Sequence, residues 1–214
     1  MVNALNTIAP IANRDLLFGD LPLSYWAGIK SNEAPWTQFA EVESSLASGR
    51  QADAVTILLT IVDTPGFEAR HYLQAYHFLK VLGIAPPAEL ELFGVVAEVS
   101  IEDGHDFLAV YNDHSARYYN YSGSAIVWDT TNIAIAQKID NILTLGKEIV
   151  GKIGPWDADR LPAPKPNFAR INFLTSHGLY FGEAPQSILF NDPMSRGIMY
   201  AMLDMIETLA AFAG

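Results

Sequence analysis

Apolar and polar positions follow two rhythms along this chain. Between Asp106 and Asp129 the runs DFLAVY, ARYYNY and AIVWD alternate apolar or aromatic residues with small or polar ones, and Asn-Asp and Ser-Gly pairs separate them. A period of two interrupted by turn formers predicts an antiparallel meander. Leu92–Ile101 (LFGVVAEVSI) reads as a strand leading into it. A second hairpin is predicted from Phe168–Leu174, a turn at Ser176-His177-Gly178, and Leu179–Phe181. Alternate side chains of a strand share a face, so Arg117, Tyr119 and Tyr121 are expected to project together, with Tyr118 on the opposite side.

The flanking regions carry helical spacing. Trp36–Ser48 places Phe39, Val42 and Leu46 on one side, with Asn32 as a cap, Pro35 in the first turn and Gly49 at the end. Gln51–Val62 is apolar on most sides and predicts a buried helix. Thr64-Pro65 opens a third helix running to Leu82, stopped by Gly83 and Pro86-Pro87. Shorter helices are expected at Arg14–Phe18 and Leu23–Ile29. Asn132–Ile153 keeps Ile135, Ile139, Ile142, Leu143, Ile149, Val150 and Ile153 on a 3.6-residue period, with Asp129 or Thr131 as its cap. A last helix, Pro193–Phe212, is apolar around most of its circumference. Gly154–Asn167 (GPWDADRLPAPKPN) holds four prolines and is expected to run extended over the surface.

Strands grouped in runs between helices predict an α+β fold: N-terminal helical hairpins, then an antiparallel meander with two long packing helices. Pro86-Pro87 divides the chain into a mainly helical part, 1–87, and an α+β domain, 88–214. The long helices cover one sheet face; the other is open or takes the N-terminal helices. The Leu92–Gly214 layout is similar to small α+β regulatory domains of the profilin-like and roadblock/longin kind, a likeness of layout that carries no motif and assigns no residue a role.

Composition narrows the function. The 214 residues carry a net charge of −11 and no cysteine. Disulfides, thiolate metal sites and cysteine nucleophiles are excluded. The acidity is spread over both halves, so there is no basic stripe for a nucleic acid or an anionic membrane surface. Charged residues are only 17% of the chain against 50% hydrophobic, which points to a protein partner or self-association. The N-terminus has no basic region ahead of its apolar run, and the apolar C-terminal stretch is broken by Asp204 and Glu207, so a cytoplasmic location is expected.

Candidate chemistry is sparse. GxGxxG, Walker A and GxSxG arrangements are all missing, and no cofactor is implied. His71 and His77 lie six residues apart, off the i, i+4 spacing of a helical zinc site. His105, His114 and His177 sit in expected turns, and Glu102-Asp103-Gly104-His105-Asp106 reads as a charged turn rather than a metal loop. The tyrosine-rich strand is the strongest signal. Aromatic rings beside an arginine make a good contact surface, so Arg117, Tyr119 and Tyr121 are the expected binding residues of a binding or adaptor protein acting through a sheet face or subunit interface. The alternative is a small hydrolase or isomerase using Asp129, His177 and Glu183, since acids at strand ends and in loops often carry function. A third reading, an acidic inhibitor or immunity-type protein, rests on the charge alone.

Overall fold

Strand pairing follows the alternation. In the computed structural model, which describes residues 13–102 and 104–213, six strands form one antiparallel sheet. These are β1 (Leu92–Ile101), β2 (Gly104–Tyr111), β3 (Ala116–Tyr119), β4 (Ala125–Trp128), β5 (Phe168–Thr175) and β6 (Gly178–Pro185). Their order is β4-β3-β2-β1-β5-β6, so the meander grows from one side of β1 and the second hairpin from the other. The fold class is the expected one, α+β with an antiparallel sheet preceded by helices.

Alternation then sorts the side chains. One sheet face presents Val95, Ala97, Leu108, Val110, Ile171 and Phe173 to two long helices, α5 (Ile133–Val150) and α7 (Arg196–Ala213). Between β6 and α7 lies a single helical turn, α6 (Gln186–Leu189). Ile135, Ile139 and Ile142 of α5 and Ile198, Met202 and Met205 of α7 complete this core. Burying each such side chain stabilises by roughly 1.5–3 kcal/mol. Gly146 lets α5 approach closely: a Cβ there would lie 3.0 Å from Leu92 and 3.2 Å from Val95. The cap of α5 is Asn132, whose side chain accepts the Ala134 and Ile135 N–H groups at 3.0 and 3.2 Å. Asp129 and Thr131 were the expected caps; both precede the residue whose geometry satisfies the first turn.

The N-terminal part contributes a short 3-10 turn (Asp15–Leu17) and four helices: α1 (Leu23–Ala27), α2 (Trp36–Ala47), α3 (Gln51–Asp63) and α4 (Ala69–Val81). They share a core of Trp26, Phe39, Val42, Leu58 and Ile61. A buried glutamine ties this layer together. Gln74 Oε1 accepts from the Leu21 N–H at 3.0 Å and from the Trp26 indole, while its Nε2 donates to Leu21 O at 2.9 Å. The expected helix from Thr64 begins only at Ala69, because Gly66 turns at φ +94° and Glu68 with His71 forms a capping box. The Ala69 N–H donates to Asp113 of the β2–β3 turn at 2.7 Å, which fixes α4 against the sheet.

The second sheet face is therefore covered. Phe93, Val96, Ala109 and Tyr111 pack on Leu17, Phe18, Ala69 and Leu73. A bulge at Phe93/Gly94 shifts the alternation, so Leu92 and Val95, three apart, serve one face while Phe93 and Val96 serve the other. No described helix is long and apolar enough to cross a membrane.

Candidate functional site

Beyond its apolar half, the α4-side face of the sheet turns polar. Glu98 on β1, Arg170 on β5 and Glu183 on β6 stand in register across three strands. Glu98 is fully buried and accepts from Arg14 at 2.5 Å, Arg170 at 3.2 Å and Asn172 at 2.9 Å. Arg170 also donates to Glu183 through Nε at 2.7 Å. A charge held this deep is tolerated because two arginines and an amide donate to its carboxylate.

The proline segment 154–167 is laid over this network. Proline removes backbone donors, so such a segment offers chiefly carbonyl oxygens, and arginine is the side chain richest in donors. Arg170 donates to Pro162 O at 2.9 Å and Arg14 to Leu161 O at 2.8 Å. His105 Nε2 lies 2.7 Å from Pro164 O. Arg160 points back from the strap to Asp15 and Asp20, at 2.7 Å each, with its guanidinium 4.1 Å above the Phe18 ring. At the other end the Trp156 N–H donates to Leu179 O at 2.7 Å, and its ring meets Phe181 edge-on.

Held in this way, the strap forms one wall of a groove of about 940 Å³. Leu59, Val62 and Asp63 of α3 and Tyr76, His77 and Lys80 of α4 form the opposite side; Ile84–Pro87 and the β5–β6 turn contribute the rest. Most of the lining is apolar. Burial holds His77 below the ordinary histidine range, opposed by Asp20 and reinforced by Lys80, so its imidazole is neutral at pH 7. Burial pushes the Tyr76 phenol up, and the charges of Glu91 and Asp63 add to that. Lys80 pairs with Asp157 across the groove at 3.3 Å.

The expected binding residues part company. Arg117 and Tyr119 do share a face, with Tyr118 packed on the opposite core, but α4 covers that face. Arg117 is buried and reaches Glu68 at 3.4 Å; Tyr119 is half-buried; Tyr121 lies beyond the end of β3 and is exposed. Of the two alternatives for this face, open or covered by the N-terminal helices, the structure shows the second, so a binding surface on an open face around Arg117 and Tyr119 is not present. Glu68 is held below the usual carboxylate range, because Arg70, His71 and Arg117 outweigh the opposing effect of its burial.

Nor do the expected acids and histidine converge. Asp129 is exposed at the end of edge strand β4, and Glu183 is bound by Arg170 on the opposite edge strand β6. Five strand spacings separate those edges, about 24 Å. His177 sits in the β5–β6 turn with Nε2 2.8 Å from Pro87 O, at the far end of β6 from Glu183. His105, His114 and His177 each have a separate partner, respectively Pro164 O, Asp140 and Pro87 O. No cluster of three metal-ligating side chains occurs among the described residues; Asp103 of the acidic turn lies outside them.

Sequence reasoning passed over the groove. Its one local signal was the proline segment, which had to cross something, and the wall facing it comes from α3 and α4, remote in sequence: even the facing pair Lys80 and Asp157 is 77 residues apart. Comparison of the chain with protein-family models, with curated proteins and with solved structures gives no match.

Proposed function

We propose that this is a cytoplasmic protein that works by binding rather than catalysis, with the strapped groove as its site. The observation that carries this reading is the groove itself. A concave, mainly apolar space of about 940 Å³ with a few polar groups is what ligand sites commonly offer. Its floor is pre-formed, since Phe18, Leu73 and Leu174 belong to the buried core beneath it. The half-buried His77 has no hydrogen-bond partner among the described residues and is free to receive one from a ligand. Equilibrating the protein with a metabolite extract, followed by native mass spectrometry, tests the reading. Small molecules retained by wild type and lost in Leu59→Trp, which fills the groove from its exposed rim, support it. Retention unchanged in a folded Leu59→Trp variant removes it.

A second reading, self-association or a protein partner, is favoured by a different surface. Ile188, Met194, Tyr200 and Leu203, on α6, α7 and the link between them, are large apolar side chains left 42–57% exposed. Tyr200 and Leu203 are one helical turn apart and face the same way. Light scattering on wild type and on Tyr200→Ser/Leu203→Ser tests it: a dimer mass that falls to the monomer in the double variant supports it, and a monomeric wild type argues against self-association.

A further inference from the structure

Resting on the groove reading, we propose that its ligand is a small molecule with an apolar body and a single positive charge, an aliphatic or arylalkyl amine. The argument is one of charge left over. Four carboxylates line the groove, Asp20, Asp63, Asp157 and Asp159, against two cations, Lys80 and Arg160. Both cations are committed: Lys80 to Asp157, and Arg160 to Asp20 and Asp15. Neither the Asp63 nor the Asp159 side chain has an ionic partner among the described residues, and one stands on the helical wall, the other on the strap. A ligand carboxylate or phosphate would therefore meet unpaired acids and no free cation. An ammonium would find a carboxylate without a counter-charge on either wall, Asp63 or Asp159.

The uncharged polar groups agree with this. Two imidazoles line the groove: His77 is neutral and supplies no countercharge for an anion, and His177 has its Nε2 2.8 Å from Pro87 O. The Tyr76 phenol stands in the negative field of Asp63 and Glu91. Tyr76 and Trp156 also offer aromatic faces, which attract cations; the Phe18 ring is already covered by Arg160. The apolar body would lie along the floor. A fatty acid of similar size, the other obvious apolar occupant, satisfies the floor but not the rim.

Three probes with one body separate these contributions: 6-phenylhexylamine, 6-phenylhexan-1-ol and 6-phenylhexanoate, titrated by calorimetry at pH 7.4. The expected order is amine, alcohol, carboxylate, with the amine about tenfold tighter than the carboxylate. In Asp63→Asn/Asp159→Asn the amine weakens about three- to fivefold while the alcohol is unchanged. Both acids are exposed, so this variant should fold, which circular dichroism checks. Equal affinities, or a carboxylate that binds best, overturn the ligand class yet leave the groove as a site. If no probe binds wild type, or all bind Leu59→Trp equally well, the groove reading falls too.

Discussion

The two faces of the sheet are built by different physics. The α5/α7 face is a continuous apolar layer in which Leu108, Ile139, Ile142, Phe173 and Met202 interlock. The opposite face is apolar only under α4; toward β5 and β6 it carries Glu98, Arg170 and Asn172, all buried. Apolar contact is non-directional, so the first face needs only volume and periodicity. The second needs register. Glu98 must stand opposite Arg170, and Arg170 opposite Glu183, before either arginine can hold the strap. One face provides the generic cohesion of the fold, and the other positions a segment with no secondary structure of its own. The same segment, through residues 155–160, walls the groove.

Substitutions on the two faces should therefore differ in size and in kind. The largest effect is expected for Arg170→Met, which leaves Glu98 and Glu183 short of a counter-charge and releases the strap. Urea unfolding should show a loss of about 3–5 kcal/mol. Adding Glu98→Leu and Glu183→Leu should recover much of it, since apolar residues of similar volume can replace a buried ion network. A single variant costing under about 1 kcal/mol would mean that the network is not load-sharing with the strap.

Next comes acid sensitivity, which the comparison assigns to the helical side. His71 is enclosed by Trp26, Trp36 and Phe67, and its Nδ1 accepts the Glu68 N–H at 3.2 Å. Burial foremost lowers its pKa from 6.5 to about 4. The folded protein thus excludes a proton that the unfolded chain binds. Stability from this source is complete above pH 6.5 and is lost as the pH falls toward 4, by on the order of 3 kcal/mol. His71→Phe should flatten the melting temperature against pH across that window relative to wild type. Parallel profiles for the two proteins would refute the assignment.

Smaller effects sharpen the contrast. Arg160→Ala frees one end of the strap by removing its bonds to Asp15 and Asp20, and should cost about 1–2 kcal/mol. Its more telling consequence is faster amide exchange in 156–161, with the α5/α7 core unchanged. On the apolar face, Ile142→Val should cost about 1 kcal/mol. That loss should be indifferent to salt and should leave strap exchange alone. Asn132→Ala, which removes the cap of α5, should cost about 1 kcal/mol by the same denaturation.

Much of this architecture was legible in the sequence because it depends on local period. The four strands of Leu92–Trp128, helix α5 and the extended proline segment follow from alternation, 3.6-residue spacing and the chemistry of proline. The misses have local causes too. Helix α4 starts five residues later than Thr64-Pro65 suggests because Gly66 takes a positive φ and Glu68 forms the cap. Asn132, not Asp129, caps α5. Arg117 and Tyr119 do share a strand face, as alternation requires, but alternation cannot say that α4 would lie on it.

The sequence by itself determined the elements, the apolar face that α5 and α7 cover, and the α+β class, because each rests on interactions within a few residues or on the pattern of one surface. Tertiary structure alone decided where the charges meet. Glu98 and Arg170 are 72 residues apart, Arg14 and Glu98 are 84 apart, and Arg160 and Asp20 are 140 apart. A buried ion pair leaves no periodic trace in a chain. It arises only when strand register and helix docking bring the partners within about 3 Å, and the same docking opens the groove between the strap and α4.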